Sequence, residues 1–100
     1  MICNRRLMRA IDQTRAFRRD LKRESKGKHR AYLSESFVSM VQALANDEPL
    51  AERFHDHALS NNWQDHRDCH IRPDLVLIYR KPDDETLQLV RLGSHSELGL

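Results

Sequence analysis

Six histidines occur in this 100-residue chain, and five of them fall between positions 55 and 95. His55 and His57 are two apart, His66 and His70 are four apart with Asp68 between them, and His95 follows Arg91 by four. Asp74 comes directly after Pro73. No serine or cysteine triad accompanies this set. Imidazole titrates near neutrality, so a histidine can accept or donate a proton at physiological pH. An arginine fork meets phosphate oxygens at two points and stays charged. Histidines, a carboxylate and an arginine together suit RNA cleavage. The substrate brings its own nucleophile, the ribose 2′-hydroxyl. The protein must then supply an acceptor for that proton, a donor for the departing 5′-oxygen and positive charge for the phosphorane-like transition state. The competing reading is a metal site built from His55-x-His57 and His66-x₃-His70. An i, i+4 pair serves one ion most naturally from a helix, whereas 63–71 has a strand rhythm, so neither metal nor other cofactor is expected. Taken one at a time, histidines are more often surface or satisfied core residues than catalysts.

The elements that must position these groups are legible from periodicity. Residues 5–10 suit a short strand with Leu7, and Met8 beside it, pointing inward. Asp12 or Thr14 caps a helix running to about Ser25, with a thin apolar face of Ala16, Phe17 and Leu21. Tyr32, Leu33, Phe37, Met40, Val41 and Leu44 recur at three and four residues, which predicts one helix over 29–46, stopped by Asn46-Asp47 and Pro49. From Trp63 to Ile71 the period becomes two. Trp63, Cys69 and Ile71 then face the core, Trp63 with the further option of stacking a base, while His66, Asp68 and His70 face the other way. Residues 75–79 and 87–92 read as two more strands joined by a hairpin at 81–85, and 94–98 as a final helical turn. The order is β-α-α-β-β-β, a single α+β domain over 1–100 with helices on one face of an antiparallel sheet and the other face open for function. Such a sheet brings His70, Asp74, Arg91 and His95 to one edge.

Composition narrows the class. With 39% hydrophobic and 32% charged residues the core must be small. No apolar run approaches the roughly 18–20 residues of a membrane span, and the start lacks the apolar stretch of a secretory leader. Cys3 and Cys69 form no disulfide framework, which points to a reducing, cytoplasmic setting. The net charge of +2 hides a split: residues 1–30 hold 11 basic and 3 acidic side chains, residues 31–100 hold 6 and 12. A cationic segment of that density suits a polyanionic partner, with a solvated helix face as the plain alternative.

Trp63, Arg67-Asp68-Cys69-His70-Ile71, Pro73-Asp74, Leu77-Ile78-Tyr79 and Arg91-Leu92-Gly93-Ser94-His95, with Asp56-His57 upstream, together resemble the YafQ branch of the RelE-like toxins of bacterial type II toxin–antitoxin systems. The resemblance is close over about 54–98 and collinear but looser before that. It implies a microbial RNase-like RelE fold, with two helices on a twisted antiparallel sheet. It also implies a ribosome-dependent, metal-independent messenger RNA interferase acting in the ribosomal A site. Residues matching the family's active site are His57, His70, Asp74, Arg91 and His95. In the roles so implied, Asp74 or His70 accepts the 2′-hydroxyl proton, His95 donates to the leaving oxygen, and Arg91 and His57 hold the phosphate. Asp68 either orients a histidine or is structural. The basic segment (Arg15, Arg18, Arg19, Lys22, Arg23 and Lys26, continued by Lys28 and Arg30) would grip ribosomal RNA, and the other expected partner is an antitoxin with an acidic, disordered tail. Two departures stand out: Gly99 where the family often has an aromatic, and His66 where a tyrosine is common. The alternative reading is a toxin-like module that docks on the ribosome or an antitoxin but cleaves weakly.

Overall fold

The computed structural model describes residues 8–100. Strand β1 (Ala10–Gln13) leads into helix α1 (Arg15–Glu24), a one-turn helix α2 (Arg30–Leu33) and helix α3 (Ser36–Ala45). Strands β2 (His57–Ala58), β3 (Arg67–Arg72), β4 (Leu75–Asp83) and β5 (Thr86–Gly93) follow, and helix α4 (His95–Leu98) closes the chain. The five strands form one sheet in the order β1-β5-β4-β3-β2. β2, β3, β4 and β5 pair antiparallel in succession, but β1 lies parallel to β5. The fold is therefore α+β with a mixed sheet, not the wholly antiparallel one expected. The physical reason is the connection: the helices after β1 carry the chain to β2 at the opposite edge of the sheet, and three antiparallel reversals bring it back as β5 beside β1 and in the same direction.

Local chemistry sets the boundaries. Thr14, not Asp12, caps α1: its hydroxyl accepts from the Phe17 N–H at 2.9 Å and donates to the Val90 carbonyl at 2.7 Å, which ties the helix start to β5. The single helix expected over 29–46 is broken. Ser34 turns its hydroxyl back to the Ala31 carbonyl at 3.2 Å, and Glu35 leaves helical geometry at φ −120°. The strand expected over 5–10 falls partly on residues outside those described, and the described strand begins at Ala10. The strand expected from Trp63 begins only at Arg67, because Asn61–Trp63 is a 3₁₀ turn and Asp65 takes a left-handed φ of 69°. The hairpin extends further than its sequence suggests, with only Asp84 and Glu85 between β4 and β5.

β4 is buried on both faces, as its unbroken Leu75-Val76-Leu77-Ile78-Tyr79 run demands. Leu75, Leu77 and Tyr79 join Phe17, Phe37, Met40, Val41 and Leu44 in the main core beneath α1 and α3, and Phe17 stacks on Phe37 at 6.0 Å. Cys69 and Ile71 lie there too. Val76 and Ile78 face the other way, into a second cluster with Leu98, Leu59, Trp63 and Val90. The second sheet face is thus not open, and Trp63 packs on the side opposite Cys69. The shift follows from the 3₁₀ turn, which ends the two-residue alternation before it reaches Trp63.

A clasp closes the lower end of the sheet. Arg9 is nearly buried; its Nε donates to Asp47 at 2.8 Å, its Nη1 donates to the Asp83 and Thr86 carbonyls, and Lys81 reaches the same carboxylate at 2.7 Å. Hydrogen bonds from Arg9, then Lys81, hold the Asp47 pKa down to about 2. A lowered folded pKa contributes stability that is complete above the unfolded value of 3.8 and lost as pH falls towards 2. Asp47→Asn keeps a residue that tolerates the φ of 59° and removes only the charge. It is expected to cost about 1–2 kcal/mol at neutral pH, with the deficit shrinking below pH 3.8, as followed by thermal unfolding across pH.

Candidate active site

The pairing His70↔Val76↔Gly93 sets the end of β3, the start of β4 and the end of β5 side by side, the common edge expected from the sequence. β2, too short to show in the periodicity, adds His57 opposite Asp68. His55 precedes it in a left-handed conformation at φ 49°, and His95 is the first residue of α4, held by a capping box between Ser94 and Glu97. Three imidazoles therefore surround His70. Ring centres lie 5.4 Å away for His55, 6.3 Å for His57 and 4.9 Å for His95, the last edge-on.

Asp68, 2% exposed, sits in this group. Its Oδ1 is 3.0 Å from His57 Nε2 and its Oδ2 is 3.9 Å from His70 Nε2, ion-pair distances without hydrogen-bond alignment. The other nitrogen of His57, Nδ1, is 2.7 Å from the His55 carbonyl. A carbonyl only accepts, so Nδ1 is the donor in that contact and Nε2 is left facing the Asp68 carboxyl. Burial pushes the Asp68 pKa up, against the pull of His57, His70 and His95. Burial pushes the His70 pKa down, partly offset by Asp68. This is the pattern of a base kept neutral beside a carboxylate kept reluctant to ionise, and perturbed groups of this kind gather at functional sites.

Two clefts open on the cluster, and His57 and His70 line both. One, of about 630 Å³, runs past Arg53, Phe54, Arg72 and Pro73. The other, of about 520 Å³, runs past His95, Trp63 and the last two residues, Gly99 and Leu100. Cys69 points away into the core with its Sγ 3.1 Å from the Met40 sulfur, and burial lifts its thiol far above reactivity at neutral pH. Among the described residues no group of three His, Cys, Asp or Glu side chains is placed to hold a metal ion.

Of the five candidates, His57, His70 and His95 meet. Asp74 and Arg91 line neither cleft. Asp74, in the β3–β4 turn, pairs with Lys28 at 2.9 Å and His29 at 3.2 Å, and the Lys28 hydrogen bond lowers its pKa. Arg91 reaches back to α1, donating to Asp20 from Nε at 2.6 Å and Nη2 at 3.2 Å. Asp20 also accepts from the Leu92 N–H at 3.0 Å and from Arg23 at 3.0 Å. Burial raises its pKa, yet these bonds and charges hold it below the ordinary carboxylate range. Asp20 is absent from the sequence-derived set, though it had a signal: an acidic residue three positions after Phe17, on the buried stripe of a basic helix. Of the basic candidates, Arg15, Arg18, Arg19 and Lys22 are exposed and follow one stripe of α1 opposite Phe17 and Asp20, and Lys26 is exposed in the turn after the helix. Arg23 is drawn instead into bonds with Asp20, Glu24 and the Leu92 carbonyl.

Residues 9–99 match the family model described as the bacterial toxin of type II toxin–antitoxin system, YafQ. An mRNA interferase toxin YafQ of Escherichia coli (strain B / BL21-DE3) is 33% identical over 92 residues, covering 92% of this chain and 97% of the relative. Among solved structures, a copper-bound mutant toxin from Helicobacter pylori superposes with a TM-score of 0.80 at 34% identity, over 92% of this chain and 99% of that one. The E. coli DinJ–YafQ toxin–antitoxin complex gives a TM-score of 0.77 at 30% identity, over 92% and 98%.

Proposed function

The chain belongs to the YafQ family of bacterial type II toxin–antitoxin toxins, and on that footing we propose that it is a ribosome-dependent endoribonuclease that cuts messenger RNA. The E. coli relative is named an mRNA interferase. The single observation that carries the reading to this chain is the packing of His57, His70 and His95, from three different elements, around a buried carboxylate at the mouth of two clefts. His70, kept neutral by burial, takes the 2′-hydroxyl proton. The freed oxygen attacks the neighbouring phosphorus, and His95 gives a proton to the departing 5′-oxygen. His57, 3.0 Å from the Asp68 carboxylate, answers the charge on the phosphate, and Arg91, which lines neither cleft and is held by Asp20, remains the candidate second cation. Asp74, tied to Lys28 and His29, supports the β3–β4 turn beside His70 and remains the second candidate acceptor. The route requires no metal, because the substrate supplies the nucleophile and imidazoles move the protons.

The exposed stripe of Arg15, Arg18, Arg19 and Lys22, with Lys26 in the turn after it, would hold ribosomal RNA phosphates in a salt-dependent manner. Its other partner is a cognate antitoxin, as in the DinJ–YafQ complex of the E. coli relative, with an acidic segment ordering on the basic face. No helix among the described residues is long and apolar enough to cross a membrane, and a toxin acting on ribosomes would work in the cytoplasm.

The test uses purified toxin, ribosomes and a message. New message ends are expected with wild type, lost when the cut nucleotide is 2′-deoxy, and formed about 10²-fold more slowly by His95→Ala. Equal cutting by both proteins, or by neither, overturns the assignment, and cutting by neither leaves a docking module.

A further inference from the structure

We propose that the second cleft is a nucleobase subsite, formed by Asn61, Asn62 and Trp63 opposite the histidines, and that it gives the cut its sequence preference. This rests on the nuclease reading, because the subsite matters to cleavage only if His57, His70 and His95 act on the adjoining phosphate. The cleft measures about 520 Å³, within the range of small-ligand pockets, and the three histidines share its wall with these three residues.

Trp63 is only partly buried. It rests against the Val76, Ile78 and Leu98 cluster, with the His66 ring edge-on at 5.4 Å. A tryptophan placed for packing alone usually gives its indole N–H to a protein acceptor. Among the described residues that of Trp63 meets none. The ring is therefore braced from behind, beside the reacting centre, with an unused donor. Asn61 and Asn62 are exposed, and neither side-chain amide has a hydrogen-bond partner among the described residues. Each amide presents a donor and an acceptor side by side, the pattern that base edges match. The turn carrying them is fixed: Asn61 holds φ 56°, the Trp63 N–H donates to the Ser60 carbonyl at 3.1 Å and the Gln64 N–H donates to the Asn61 carbonyl at 3.1 Å. A stacking surface with two adjacent amides on a rigid turn can distinguish bases; phosphate recognition would have called for cations here.

Trp63 is the only tryptophan of the chain, so its emission reports occupancy of this cleft directly. The experiment titrates the full chain with 2′-O-methyl trinucleotides that cannot be cut and differ in one base. The expected result is saturable quenching, with Kd values spread about fivefold or more among the four bases. Asn61→Gly, which suits the left-handed turn, and Asn62→Ala should each narrow that spread while the unfolding curve stays in place. Absence of quenching, equal Kd for all four bases, or an unchanged spread in both variants overturns the proposal. Because the probes cannot react, a base-dependent quench from a protein that fails to cut message on ribosomes would sink the nuclease reading and leave the subsite standing.

Discussion

Asp20→Asn is expected to lower stability by about 3 kcal/mol, more than any other single isosteric change away from the hydrophobic core, and to lower Tm by roughly 10–20 °C. The carboxylate is almost fully buried and joins four groups: two nitrogens of Arg91, one of Arg23 and the Leu92 N–H. Asparagine fills the same space but turns an NH₂ towards guanidinium donors and cannot carry the countercharge. Breaking a fully buried pair typically costs about 3–5 kcal/mol. The lower end applies because Arg91 and Arg23 keep contact with water, at 30% and 44% side-chain exposure. The pH dependence has a definite sign. The folded pKa of Asp20 is lowered, so its contribution is complete above 3.8 and lost as pH falls through the folded value. Wild type and variant should therefore converge in acid. Calorimetry or circular dichroism across pH 2–7 checks this, and a variant within about 0.5 kcal/mol of wild type at pH 7 would show that the network is incidental.

The same residue shows what the sequence could and could not convey. Sheet edges are set by alternation and turn chemistry, which are local, so the meeting of His70 and His95 at one edge was legible from Leu75–Tyr79, the Pro82–Glu85 hairpin and the position of Gly93. The one-turn helix after Ser94 was legible for the same reason. The parallel placement of β1 on β5 was not, since nothing within Ala10–Gln13 records which strand it will meet. β2 is two residues long and carries no period at all, yet it delivers His57 to Asp68. The destination of a charged side chain is the least legible feature. Arg91 and Arg23 read as phosphate grips because both are cationic. Both also pair with Asp20, Arg23 from three positions on in the same helix and Arg91 from 71 positions away once α1 settles on β5. Asp74 likewise shares the sheet end with His70 but turns to Lys28 and His29, a pairing set by the α1–α2 connection. Trp63 misled for a different reason, since a single left-handed residue, Asp65, is enough to end an alternation extrapolated from β3.

Asp68→Asn is expected to do the opposite of Asp20→Asn: to abolish cleavage while leaving the fold as stable as before or more so. The two aspartates are buried alike, but Asp20 is surrounded by aligned donors, whereas Asp68 has no aligned hydrogen bond at Oδ1. Burial therefore dominates, and the folded pKa of Asp68 is raised. A raised folded pKa means that the favourable contribution exists below the unfolded value of 3.8 and is lost as pH climbs through the folded one. At neutral pH the ionised carboxylate weighs against folding, and asparagine relieves it. The Tm of Asp68→Asn should equal or exceed that of wild type at pH 7, and the difference should vanish in acid. Activity should move the other way. With Nδ1 of His57 already donating to the His55 carbonyl, Nε2 is left facing the Asp68 carboxylate at 3.0 Å, the countercharge beside the ring. The asparagine amide keeps the shape but removes that countercharge, so the ring loses the electrostatic support with which it answers the phosphate. Replacing the aspartate beside a catalytic histidine by asparagine costs about 10⁴-fold in a Ser-His-Asp triad, and a loss of that order is expected here. Single-turnover cutting of ribosome-bound message measures the loss. The unfolding curve, taken alongside, separates the two roles open to this carboxylate: a structural aspartate would lose stability and keep its rate, whereas one retained for chemistry gives up rate and gains stability.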